Sequence, residues 1–167
     1  MSSINDSATI TYRSVKETPL TNNEVDANFQ SLDDTKLPSN NPTITGLLTM
    51  QQATELIIEK TGATGVVVHD FSTGAIFFHS SIAANFTVNL TNFPTTSDRA
   101  IAVTLVLDQG GTGYIPNALQ INGGAQTIRW ANDTTPPGSS SKIDIVTFSI
   151  VRAISTWFVM AQLLPFA

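Results

Sequence analysis

Residues 86–91 have the sequence FTVNLT, and this stretch decides the fold class. Its apolar side chains, Phe86, Val88 and Leu90, alternate with polar Thr and Asn. A period of two residues is typical of a strand that has one buried face and one wet face. Residues 101–107, IAVTLVL, alternate in the same way, but their second face is small instead of polar, which predicts a strand covered on both sides. The chain is therefore predicted to be mainly β.

Further strands follow the same pattern from residue 65 to the end of the chain. Residues 119–130 are predicted to form a hairpin around a Gly123-Gly124 turn. About eight short strands with turns between them are typical of an antiparallel β-sandwich or jelly roll. No internal repeat is visible, which argues against a solenoid. Ile143 and Ile145 alternate in one phase and Val146 and Phe148 in the opposite phase, so we predict a β-bulge at Ile145–Val146.

A helix is predicted at residues 20–36, ahead of the β-region. Thr21 and Glu24 have the spacing of a capping box, and Leu20 and Val25 that of a hydrophobic staple. Val25, Phe29 and Leu32 then repeat at i, i+4 and i+7 and form one narrow apolar stripe. So short a helix is marginal alone in water. We therefore predict that Leu20, Val25, Phe29 and Leu32 form an oligomer or docking interface.

Three segments follow from these patterns. Residues 1–42 contain an extended arm, the helix and a linker that Pro38 separates from the helix. Residues 43–62 connect the two parts, and their apolar residues fit either a helix or a strand. Residues 63–167 form the β-sandwich domain.

Composition excludes several classes of function. A net charge of −5 without any basic cluster argues against nucleic-acid binding. The apolar runs are too short to span a membrane. The chain has no cysteine, which excludes disulfides and thiolate metal sites. Only 13% of residues are charged, which suits an exposed β-structure or one that identical neighbours cover.

The two histidines are the candidates for a metal or acid–base site. His69-Asp70 and His79 are expected on neighbouring hairpin strands, where two imidazoles and a carboxylate would suit a divalent metal. The competing interpretation is a pair of part-buried histidines in hydrogen bonds. No pattern of nucleophile, base and acid is present, so we predict no catalytic residue, cofactor or metal.

Charged and aromatic residues of the strands give three further expectations. Arg129 and Asp144 are predicted to pair across strands, or else to form an intersubunit salt link or polar ligand site. Trp130 and Trp157 lie in strand patterns and are expected in the core, although aromatic side chains also stack on sugars. Tyr114, in a glycine-rich loop, is the more exposed candidate for ligand binding.

Two segments resemble known virion proteins. The first combines TYRS at residues 11–14 with Leu20, Thr21, Glu24, Asp26, Asn28 and Phe29. It resembles the N-terminal segment of tail-fibre proteins of tailed bacteriophages, which implies attachment to the virion. The second covers about residues 60–167 and includes HDF at 69–71, IPNAL at 115–119, IRWA at 128–131 and STWFVMA at 155–161. It resembles a domain recurrent in structural proteins of cyanophages.

These resemblances imply a non-enzymatic virion structural protein, a small fibre or appendage subunit. The expected assembly is a homotrimer that contacts other virion proteins of the tail, baseplate or capsid. Two alternatives stay open. One is a receptor-binding tip with a site for host surface glycan near Tyr114 and the loop at residues 134–141. The other is a capsid decoration or head-fibre protein.

Overall fold

The computed structural model of the chain describes residues 18–35 and 49–167, and in the helix the side chains up to Ser31. The predicted arm and proline linker lie outside these ranges. The chain forms two compact units, residues 1–53 and residues 54–167.

The helix of the first unit, α1, spans Asn22–Thr35 and confirms the prediction. Its first turn is a capping box. The Glu24 carboxylate accepts hydrogen bonds from the Thr21 amide at 2.7 Å and the Thr21 hydroxyl at 2.8 Å, and the Glu24 amide donates to Thr21 Oγ1 at 3.3 Å. These bonds satisfy donors that have no partner inside the helix. The helix therefore begins where its sequence places the cap.

The second unit is a mainly β domain of two sheets, as the sequence predicts. Its strands are β1 Ile57–Thr61, β2 Gly65–Asp70, β3 Ile76–Ser80, β4 Phe86–Thr91, β5 Arg99–Asp108, β6 Pro116–Ile121, β7 Gly124–Gln126, β8 Ile128–Trp130, β9 Ile143–Ala153 and β10 Thr156–Phe166. A short 3-10 turn, Ala131–Asp133, follows β8. The connecting segment, which fitted either a helix or a strand, thus contains strand β1.

The strand pairing differs from the predicted antiparallel sandwich or jelly roll. The large sheet has the order β1-β3-β5-β9-β10-β8 and the small sheet β2-β4-β6-β7. Neighbours among the first six strands are parallel, and so are β8 and β10. The antiparallel pairs are β5 with β9, β9 with β10, and β6 with β7. The result is a sandwich with mixed sheets, and the antiparallel part of the prediction was wrong.

The first six strands wind like a short β-helix. Consecutive strands alternate between the sheets, so each strand lies beside the one two places earlier. The successive turns are unequal: Ile57 pairs with Ile76, 19 residues on, and Ile76 pairs with Thr104, 28 residues on. A winding with such unequal turns leaves no sequence repeat. The expectation that solenoid winding is absent was therefore wrong for this part of the domain.

The core lies between the two sheets. Phe77, Leu105 and Phe148 of the large sheet and Phe86 and Leu119 of the small sheet are at most 1% exposed. Burying each such side chain contributes about 1.5–3 kcal/mol. The alternation of residues 86–91 places Phe86, Val88 and Leu90 inward, as predicted.

The predicted hairpin forms, but its turn is Asn122-Gly123. Ile121 pairs with Gly124, so Gly124 begins the next strand. Asn122 and Gly123 have φ values of 48° and 81°, as a two-residue turn between twisted strands requires. The following strand, β8, leaves the hairpin and joins the large sheet.

Candidate functional site

One described residue of the α1 stripe is open to solvent in the single chain. Phe29 is 68% exposed, while Leu20 and Val25 are half-buried. The side chain of Leu32 lies outside the described residues.

His69 and His79 meet inside the domain. Their Nε2 atoms are 2.9 Å apart, and both residues are fully buried. The expectation that their strands are hairpin neighbours was wrong. Strands β2 and β3 belong to opposite sheets. The imidazoles thus bridge the two sheets, with Phe77 edge-on to His69 and Phe86 stacked on His79.

The hydrogen bonds determine the tautomers of the pair. His69 Nδ1 lies 2.9 Å from the Val67 carbonyl oxygen, which accepts, so Nδ1 carries the proton. His79 then donates from Nε2 to the bare Nε2 of His69. His79 Nδ1 has no hydrogen-bond partner among the described residues. With these tautomers both rings are neutral.

The surroundings keep both rings neutral. Burial lowers the pKa of His69 to about 3, with the nearby His79 as the second cause. Burial also lowers the pKa of His79 to about 4, with Lys60 as the second cause. A buried imidazole loses its charged form because the ion is poorly solvated there.

Asp70, the expected third ligand of a metal, does not join the histidines. Its Oδ1 accepts from the Ser72 amide, the Ser72 hydroxyl and Asn92 Nδ2 at 2.6–2.9 Å. These bonds, those of Ser72 first, lower the pKa of Asp70. In residues 18–35 and 49–167, no group of three or more His, Asp or Glu side chains lies close enough to hold a metal. The geometry is that of a hydrogen-bonded pair.

Asp144 lies in the core-facing row of β9, where the sequence predicted a bulge. Its pairing with β5 and β10 continues without a shift through Ile145 and Val146, so the bulge prediction was wrong. Asp144, Val146, Phe148 and Ile150 all point inward in one phase. The error came from placing Ile143 and Ile145 on the same face as Val146 and Phe148, whereas the structure places them on opposite faces.

The Asp144 carboxylate connects two loops. Its Oδ2 accepts from Gln109 Nε2 at 2.9 Å and from the Ser139 amide at 2.8 Å. Gln109 also accepts from the Tyr114 amide at 3.0 Å and donates to the Tyr114 carbonyl at 2.7 Å. The predicted Arg129–Asp144 pair was therefore wrong, because Arg129 lies on β8, which pairs with β10 alone.

The same loops touch through two glycines. A Cβ on Gly113 would lie 2.3 Å from the carbonyl carbon of Gly138, and a Cβ on Gly138 would lie 2.6 Å from the carbonyl carbon of Gly113. Both distances are far inside van der Waals contact. Only glycine fits at this crossing.

Two of the three arginines in the strands of the large sheet stack on aromatic rings. The Arg129 guanidinium carbon lies 5.4 Å from the centre of the Phe158 ring, and that of Arg152 lies 5.0 Å from the centre of the Trp157 ring. Both distances are typical of cation–π contacts.

The aromatic candidates for ligand binding are half-buried. Tyr114, Trp130 and Trp157 all pack against the core cluster. For the tryptophans this confirms the expected core packing. Tyr114 is less exposed than predicted, because Gln109 holds its backbone amide and carbonyl.

Two adjoining clefts that the sequence did not indicate lie beside Trp130. The larger, about 450 Å³, is lined by residues of β8, β9 and β10 that include Arg129, Ser149 and Met160. The smaller, about 320 Å³, is lined by Trp130, Asn132, Thr134, Pro136 and Gln162 among others. They join residues from distant parts of the chain, which no local pattern reveals.

No family model, curated protein or solved structure matches the chain. Within the described ranges, no helix has the length and apolar character needed to cross a membrane.

Proposed function

We propose that the chain is a structural subunit of a bacteriophage virion, a small homotrimeric fibre or appendage. The α1 unit attaches it to tail, baseplate or capsid proteins, and the β-domain projects outward. The observation that carries this proposal is the exposed Phe29 on a helix whose cap is complete. The resemblance of the N-terminal segment to phage tail fibres supplies the type of particle.

The helix needs a partner because its own stability is small. A helix of 14 residues is marginal in water, and its apolar stripe is narrow. Burying Phe29 in a contact contributes about 1.5–3 kcal/mol per copy. Three copies that bury their stripes together, or against the particle, gain enough free energy to keep the helix folded.

Single substitutions in α1, made in the phage, test whether this helix attaches the protein to the virion. In Phe29→Ser the stripe loses its largest side chain, and purified particles are expected to lack the protein. Ala27→Ser is the matched control, since Ala27 is exposed and lies about 160° around the helix from Phe29. Particles that contain Phe29→Ser at the native level would contradict the attachment role.

Difference density between particles with and without the chain gives its position. Density on the tail or baseplate is expected for a fibre subunit. Density on the capsid shell would favour the decoration or head-fibre alternative instead.

A second candidate function is binding of host surface glycan. The cleft of about 320 Å³ favours it, because Thr134 and Pro136 bring the loop at residues 134–141 beside Trp130 and Gln162. Hydroxyl and amide groups next to an aromatic ring are typical of sugar sites. The chain should then bind host polysaccharide. Weaker binding by Asn132→Ala, together with unchanged binding by Asp108→Ala, would support this function.

A further inference from the structure

The two sheets of the β-domain present different outer faces. On the small sheet, the outward residues of the central strands are polar, as in Thr87, Asn89, Thr91 and Gln120. A sheet that faces water on one side normally has this composition. On the large sheet, the outward residues of β3, β5, β9 and β10 are mostly apolar.

We call this outer surface of the large sheet the apolar face. Its large members are Ile76, Phe78, Val106, Ile143, Ile145, Phe158, Met160, Leu164 and Phe166. One apolar row crosses all four strands, since Phe78 pairs with Val106, Val106 with Ile145, and Ile145 with Leu164, and a polar row of Thr104, Thr147 and Gln162 lies between it and Met160. Leu164 and Phe166 are each 49% exposed. A contiguous apolar surface of this kind marks a contact with another protein.

The apolar face is large enough for a stable contact. Strands β5, β9 and β10 have 10 or 11 residues, about 35 Å at the rise of a strand. Four adjacent strands are about 19 Å wide. The footprint is therefore on the order of 600 Å², close to the ~800 Å² that each partner contributes to a standard interface.

The scarcity of charge on the apolar face indicates which partner binds it. The chain carries a net charge of −5, so two copies repel unless they meet on uncharged surfaces. Among the outward residues of β3, β5, β9 and β10, Asp108 alone is charged, and it lies at the end of β5; the face is flanked by Glu59 of β1 beside Phe78 and by Arg129 of β8 against Phe158. We infer that the apolar face binds a second copy of this chain and forms the contact between β-domains. This inference rests on the proposed function only in requiring that the chain assembles with itself.

Labelling of single cysteines tests the inference on the full chain, which has no native cysteine. Leu164→Cys places a thiol on the apolar face, and Val68→Cys places one on the small sheet. The two native side chains are 49% and 50% exposed in the single chain, so they are a matched pair. In the assembled protein, Leu164→Cys should react with maleimide about tenfold more slowly than Val68→Cys. The rates should converge on dilution to monomers.

Three other results of the labelling experiment would contradict the inference. Equal rates in a protein whose mass is oligomeric would overturn the inference and leave the proposed function intact. Equal rates in a protein that stays monomeric would overturn both. Protection of Leu164→Cys that persists in the monomer would show that the chain covers its own face, and would also overturn the inference.

Discussion

The side chains of His69 and His79 join the two sheets through a single hydrogen bond of 2.9 Å between their Nε2 atoms. Each ring is fully buried, and the bond is lost when both rings are protonated, because neither Nε2 atom can then accept. The pair thus couples the stability of the β-domain to pH.

We predict that the domain loses stability between pH 6.5 and 5. Both histidines have a folded-state pKa below the ordinary value of 6.5, so the unfolded chain binds protons first as the pH falls. Stability is complete above pH 6.5 and decreases toward pH 4 and 3. At pH 5 the loss is about 2 kcal/mol per histidine. Urea unfolding at pH 7.5 and pH 5 measures it, and equal midpoints would contradict the prediction.

Asp144→Ala should destabilise the domain by about 2–3 kcal/mol. It removes the acceptor of Gln109 Nε2 and of the Ser139 amide, and unpaired buried donors are costly. Asp108→Ala, at an exposed position, should change the free energy of unfolding by less than ~0.5 kcal/mol. Chemical denaturation of both variants makes the comparison. Similar small effects would show that the carboxylate does not hold the two loops.

Gly113→Ala should cost about 2 kcal/mol or more, since its Cβ would overlap the backbone of Gly138. Gly111→Ala is the control in the same loop, because no atom lies within 4 Å of a Cβ there. Thermal unfolding of the two variants measures the difference. A native melting temperature for Gly113→Ala would mean that the loops do not cross as described.

Leu164→Asp should weaken self-association at least tenfold, because it places a carboxylate in an apolar contact. Val68→Asp adds the same charge at an equally exposed position of the small sheet and should leave association unchanged. Sedimentation of the two variants at equal concentrations compares them. Equal weakening would indicate a general charge effect.

The parts of the fold that follow from local chemistry were predictable. The capping box needs only Thr21 and Glu24, three residues apart, and it forms as expected. The alternation at residues 86–91 correctly predicted the buried face of β4, because only one assignment of the two faces places all three apolar side chains inward. Thus the helix and the mainly β class were both visible in the sequence.

The parts that depend on distant contacts were not predictable. The position of Asp144 in the core depends on Gln109, 35 residues away, and so the phase of β9 was misjudged. The pairing of β1 with β3 depends on a strand between them that crosses to the other sheet. The apolar face becomes visible only when Phe78, Val106, Ile145 and Leu164 are aligned in register.

The mass of the 167-residue chain in solution, measured by sedimentation equilibrium at micromolar concentration, tests the proposed assembly most directly. A homotrimer of three 17.9 kDa chains is predicted. A mass of one chain throughout this range would contradict both the trimer and the contact through the apolar face.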